Sequence, residues 1–218
     1  MTNSSRDVVL GRIRAATGGV SNPEVTRVGW AGIQRRYQRT ATRDREAILD
    51  LLVERLVDYD AHVIRASQDE VAESVSHMLT ARGVRRLLVP VGIEARSLPG
   101  GFVFVPDQGF SAAELDGFDG VVTESTLAIA ETGTVVLQNA AGQGRRAVSL
   151  VPDYHLCLVD AGRVVETVSE AMERLQATAE LATTFFSGPS ATADIEMTRI
   201  KGVHGPRFLD VILIECSN

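Results

Sequence analysis

Glu131-Thr132-Gly133-Thr134 interrupts two apolar runs, Leu127–Ala130 and Val135–Leu137. Glutamate is rarely enclosed without a partner, and glycine lets backbone amides come close to a ligand. The segment offers a carboxylate for proton transfer, threonine hydroxyls and accessible amides. Glu131 is therefore expected to be partly enclosed and functional, with Thr132, Gly133 and Thr134 meeting a ligand. The plainer alternative is a tight turn with Glu131 in solvent. Thr123 stands just upstream, at the end of the strand-like Gly120–Val122. His204 lies between glycines in Gly202-Val203-His204-Gly205-Pro206. Such a loop histidine suits an acid, a base or a hydrogen-bond donor, or simply a surface turn. Ser187 to Glu196 packs hydroxyls and carboxylates together. Ser190, Thr192 and Asp194 there form either an anion nest beside an acid or a locally capped turn.

Gly142-Gln143-Gly144-Arg145-Arg146-Ala147 matches G-x-G-x-x-A after a strand, the outline of a dinucleotide fingerprint. The helix that such a fingerprint needs is cut short by Pro152. What survives is a loop whose amides are open and whose Arg145 or Arg146 can hold a carboxylate or phosphate. No G-x-S-x-G elbow marks a hydrolase. His62, His77, His155 and His204 are scattered without paired ligand spacing, so no metal site is expected. The two cysteines, Cys157 and Cys216, form no C-x-x-C pair. That excludes a four-cysteine iron–sulfur or zinc site built from this chain alone. Cys157 sits in an apolar strand and reads as packing.

A formal net charge of −6 over 218 residues argues against general nucleic-acid binding. No apolar run approaches the ~20 residues of a membrane span, and residues 1–19 lack the apolar core of a signal peptide. A cytoplasmic protein is expected.

These residues must be held by alternating helices and strands. Ser4 with Asp7, Ser67 with Glu70 and Thr167 with Glu170 have capping-box spacing. The first predicts a short helix stopped by Gly18-Gly19. Residues 20–41, with Pro23, Trp30, Tyr37 and several arginines, read as an irregular basic arm. From Thr42, Ile48, Leu49, Leu52, Val53 and Leu56 make a helical apolar stripe. His62–Ile64, a helix closed by Gly83, and Arg86–Val91 read β-α-β, implying a paired parallel crossover. Further strands are predicted at Phe102–Val105, Gly120–Val122, Val135–Leu137, Tyr154–Asp160 and Leu209–Ile214. A helix from Val168 runs towards Ala182. The class is α/β: a mostly parallel sheet with helices on both faces over 42–218, preceded by an N-terminal helix and arm over 1–41. Ligands of such sheets sit at the carboxyl ends of strands. Thr123-Glu124, Gln138–Arg146 and the loop before Leu209 compete for those positions, and the site residues are expected to converge on one cleft.

AIAETGTVVL, then GxxR, SLVPDYHLCLV, GPSATADIE and GVHGPRFLDVIL, in that order, together resemble the lactate utilisation protein C family, the LUD-domain proteins. The resemblance covers most of residues 60–216. It implies a fold similar to ribose-5-phosphate isomerase, glucosamine-6-phosphate deaminase and CoA transferases. It also implies a place in a three-component bacterial system that oxidises L-lactate to pyruvate. Its partners there resemble iron–sulfur redox subunits, so no cofactor is expected in this chain. A homo-oligomer is compatible with it. Two functions of different class follow. In one, the chain binds a small anionic ligand through Arg145 and amides near Gly133 and Gly205, with Glu131, His204 or Asp194 moving a proton. In the other, it is a non-catalytic scaffold or regulator that uses its arginine-rich arm. A third, by analogy of fold, is acyl or CoA transfer on Glu131.

Overall fold

The computed structural model describes residues 5–19, 22–193, 199–202 and 204–215. It comprises two compact units, residues 1–37 and 38–218.

The first unit is helical. α1 (Ser5–Ala16) buries no residue. α2 (Pro23–Ala31) falls where the sequence reading places an irregular arm. Its start is well specified: Asn22 accepts a hydrogen bond from the Glu24 amide at 2.9 Å, and Pro23 supplies a preset φ. Glu24 pairs with Arg27 one turn on. Arg35 lies over the Trp30 ring, 5.0 Å from its centroid.

The second unit opens with α3 (Arg45–Asp58), capped by Asp44 and burying Ile48, Leu49, Leu52 and Leu56. Then come β1 (His62–Ser67), α4 (Val71–Arg82), β2 (Arg86–Val89), β3 (Val103–Pro106), α5 (Ala112–Leu115) and β4 (Gly120–Glu124). β5 (Leu127–Ile129), β6 (Thr134–Gln138), α6 (Arg146–Leu150), β7 (Tyr154–Asp160), β8 (Val164–Val165) and α7 (Val168–Leu175) follow. β9 (Thr183–Phe186), β10 (Ala191–Ala193), β11 (Arg199–Lys201) and β12 (Phe208–Glu215) complete the chain. Six strands form one all-parallel sheet in the order β1-β12-β7-β4-β2-β3. β1 and β2 are thus parallel but not paired; β12, β7 and β4 lie between them. The reason is hydrophobic. β7 and β12 are near-continuous buried runs and take the centre, where both faces are covered. β1 carries Arg65, which pairs with Asp50 at 2.8 Å and with Glu46 and Glu215, and so suits an edge.

One face of the sheet packs α4 through Val75, Met78 and Leu79 against Leu87, Leu156 and Ile212. The other packs α3 and a second, four-stranded sheet, β8-β5-β6-β9, through Leu52, Leu56, Val135, Val159 and Leu213. This second sheet is largely antiparallel, with Val135 opposite Ala128 on one side and Phe186 on the other. α7 ends at Leu175, short of the extent its apolar spacing predicts. A buried carboxylate ties residues 38–43 down. Glu166, 1% exposed, accepts the Thr42 amide at 2.6 Å, the Arg43 amide at 3.0 Å and the Arg43 guanidinium at 2.5 Å.

Candidate functional site

β4 delivers Glu124 and Ser125 to the carboxyl end of the sheet, beside the end of β2. The order of connections reverses between these two strands, the usual crevice of an open α/β sheet. Here residues 140–144 fill it. The Gly142 amide donates to Val91 O and Gly142 O accepts from the Glu124 amide, both at 2.8 Å. The Glu124 carboxylate rests on Gly142 so closely that a Cβ at 142 would lie 2.6 Å from Oε2. Gly142 also has φ +75, a conformation side chains avoid. Buried Gln143 braces the loop: its Oε1 accepts from the Gln138 amide at 2.6 Å and from Thr126 Oγ1 at 2.8 Å. The glycines of G-Q-G-R-R thus serve close packing against Glu124 and Pro90.

Next to this plug lies a cleft of about 170 Å³. Glu124, Ser125, Glu94, Arg96, Asp160 and Arg163 line it. Burial holds the Glu124 carboxyl above its ordinary pKa, and nearby Glu94 adds to the effect, while Arg163 and the Glu94 amide oppose it. The Ser125 side chain is 3% exposed and its Oγ has no hydrogen-bond partner among the described residues. Arg96 meets Glu94 at 2.5 Å, and Arg163 lies 3.7 Å from Asp160. The arrangement supplies a carboxyl of raised pKa, a hydroxyl without a partner among the described residues and two guanidinium groups. Such a group can exchange a proton and orient a small polar acid. No cluster of potential metal ligands occurs among the described residues.

The residues singled out from sequence fall in several places. Thr123 is fully buried; its Oγ1 lies 2.8 Å from His155 Nε2 and 3.6 Å from Cys157 Sγ. Burial pushes His155 down to about 3 and the Cys157 thiol up to about 12, so this is a neutral polar cluster in the core. Glu131 is exposed rather than enclosed, and its Oε1 accepts the Val168 amide at 2.8 Å, at the first turn of α7. Outside, it finds its donor at the start of α7, while Gly133, at φ +55, packs so closely on α3 that an added Cβ would lie 2.7 Å from Arg55 Cβ. Thr132 and Thr134 share a 2.7 Å hydrogen bond, and Thr134 makes another of 2.7 Å to Ser187. Arg145 is held by Asp107 at 2.8 and 3.1 Å and by Phe110 O at 2.5 Å. Ser190, His204 and Gly205 do come together. Ser190 Oγ accepts the His204 amide at 3.0 Å, and an added Cβ at Gly205 would meet the Ser190 Cβ at 3.5 Å. Thr192 lies in β10, its side chain outside the described residues, as is the whole of Asp194. One cleft therefore does not gather the described members of the set: Thr123, Glu131 and Arg145 each have separate surroundings. Glu124 was legible as a polar residue at the end of a buried strand, whereas Ser125, Glu94, Arg96, Asp160 and Arg163 carry no motif.

The sequence model of the LUD domain matches residues 112–214. A relative from Deinococcus radiodurans, named "Lactate utilization protein C", is 41% identical over 181 residues, covering 82% of this chain and 84% of that protein. One of the same name from Shouchella clausii is 40% identical over 99 residues, 43% of either chain. Among solved structures, the crystal structure of a DUF162 family protein from Deinococcus radiodurans is similar, with a TM-score of 0.69 and 36% identity. It covers 79% of this chain, which in turn covers 99% of it.

Proposed function

Because the chain belongs to the LUD-domain family of lactate utilisation proteins, we propose that it serves bacterial L-lactate utilisation by binding a small 2-hydroxy or 2-oxo acid at the carboxyl-end cleft. Arg96 and Arg163 receive the ligand carboxylate. Ser125 Oγ and the Glu124 carboxyl meet the oxygen on C2, and Glu124 gives or takes the proton there. The carrying observation is Glu124 itself, a half-buried carboxyl of raised pKa beside a buried hydroxyl that has no hydrogen-bond partner among the described residues. In the cleft Arg96 and Arg163 offset two of the three carboxyl groups, and the raised pKa of the third, Glu124, favours its neutral form beside a bound monoanion. Electrons from lactate pass to redox partner subunits; binding and proton transfer are this chain's share.

Calorimetric titration of the full chain with L-lactate and with pyruvate tests this. Saturable binding is expected, weakening as pH rises through the Glu124 titration, above the ordinary 4.5. Arg163→Ala should weaken it by roughly 10-fold or more, the scale of a lost charge-assisted hydrogen bond. Absence of saturable binding, or binding indifferent to pH and to Arg163→Ala, would overturn the proposal.

A second reading concerns partners. The 1–37 unit exposes Val25, Val28, Trp30 and Ile33 beside six arginines. This mixture suits docking to an acidic partner subunit of the same system. Co-purification of the redox subunits with the full chain but not with residues 38–218 is the expected result; equal recovery with both excludes it.

A further inference from the structure

A second recess, of about 310 Å³, opens where the loop after β9 faces the chain entering β12. It is a different place from the carboxyl-end cleft. His204–Pro206 precede β12, whereas Ile214, on the wall of the first cleft, lies near that strand's far end. The floor is apolar: Phe186 is 6% exposed, Pro189 and Pro206 are buried, and Phe185 stands at the rim 48% exposed. Arg146 and His204 line the same recess, both exposed. No described Asp or Glu lines it, although the chain carries an excess of acids. Arg146 also has no ion-pair partner among the described residues, unlike Arg145 on Asp107 and Arg207 on Asp153. The walls are fixed in place. The Ser190 amide donates to Pro206 O at 2.8 Å, the His204 amide to Ser190 Oγ at 3.0 Å, and Ser187 is tied to Thr134 at 2.7 Å.

A bare inorganic ion would satisfy Arg146 and leave Phe185 uncovered. A neutral ring would cover it and leave the guanidinium unpaired. We propose that this groove binds a small organic anion with a planar apolar body. Arg146 and His204 take its carboxylate or phosphate, the guanidinium presenting its fork of N–H donors, and Phe185, exposed at the rim, takes its flat face. Ser187 and Ser190 supply hydroxyls near the head. Neither Glu124 nor any other residue of the carboxyl-end cleft takes part, so the groove stands or falls apart from lactate binding.

Titration of the full chain with phenyl phosphate and with benzoate, against inorganic phosphate and benzyl alcohol, tests the assignment. Phenyl phosphate or benzoate should bind saturably, and the difference between them reports which head the groove prefers. Inorganic phosphate and benzyl alcohol should each bind roughly 10-fold more weakly or not at all. Arg146→Ala and Phe185→Ser, both at exposed positions, should each cost about 10-fold in affinity with the melting temperature unchanged. Should Phe185→Ser melt early, Arg146→Ala alone decides. Inorganic phosphate binding as tightly as phenyl phosphate, Arg146→Ala without effect, or no saturable binding of either aromatic anion would overturn the proposal.

Discussion

Two carboxylates separated by seven positions in sequence have opposite surroundings. Glu124 is pressed between Gly142 and the cleft, while Glu131 reaches through solvent to the first amide of α7. Sequence patterning draws attention to Glu131, which sits in a glycine-bearing break between apolar runs and which the structure leaves exposed. Its neighbours Leu127–Ala130 and Gly133–Gln138 are buried on either side, and the approach of Gly133 to Arg55 belongs to another element and leaves no trace in local spacing. Glu131→Gln keeps an acceptor for the Val168 amide and loses only the charge at a helix start. It should lower stability by about 0.3–1 kcal/mol and leave L-lactate titration unchanged, as calorimetry of the variant would check. Gly142→Ala is the harsher change. It places a methyl group 2.6 Å from the Glu124 carboxylate at a φ of +75. The expected cost is about 1–3 kcal/mol in chemical denaturation, with loss of the ligand titration because Glu124 has to move.

At the scale of elements, capping chemistry was the most legible feature. The boxes at Ser67/Glu70 and Thr167/Glu170 both form, each carboxylate accepting its cap residue's amide, at 2.9 and 3.0 Å. A third, at Ser111/Glu114, starts α5. The same logic reads α2 from Asn22-Pro23-Glu24, but glycines at 29 and 32 and the density of arginines obscure it. The second sheet was less legible because its strands are two to five residues long, too short for a period to emerge. Glu166 is the element-level anchor that no motif announces. Its hydrogen bonds from the Arg43 and Thr42 amides and from the Arg43 guanidinium pull its pKa to about 2. A depressed carboxyl contributes stability that is complete above the unfolded value and is lost as the pH falls through the folded one. The contribution should therefore fade between pH 4.5 and about 2. Glu166→Gln should cost roughly 1–3 kcal/mol at neutral pH and flatten the acid limb of the stability curve. An acid limb identical to the parent's would remove Glu166 from that role.

At the scale of the molecule, charge and core are divided unequally. Residues 1–37 hold six arginines against Asp7 and Glu24, so the acidic excess of the chain belongs to residues 38–218. The described buried hydrophobic residues all lie in that second unit too. A chain beginning at Gln38 keeps the Glu166 anchor and both faces of the sheet. It should unfold cooperatively with a melting temperature close to that of the full chain, which calorimetry can check. Between the two sheets, the thiol of Cys157 is fully buried against Thr123, with burial holding it protonated. A thiol in that state reacts with an alkylating reagent only when the layers part. In a Cys216→Ser chain, the labelling rate of Cys157 at high reagent concentration becomes the opening rate of the molecule, so that the sequence carries its own stopwatch for the separation of its two sheets.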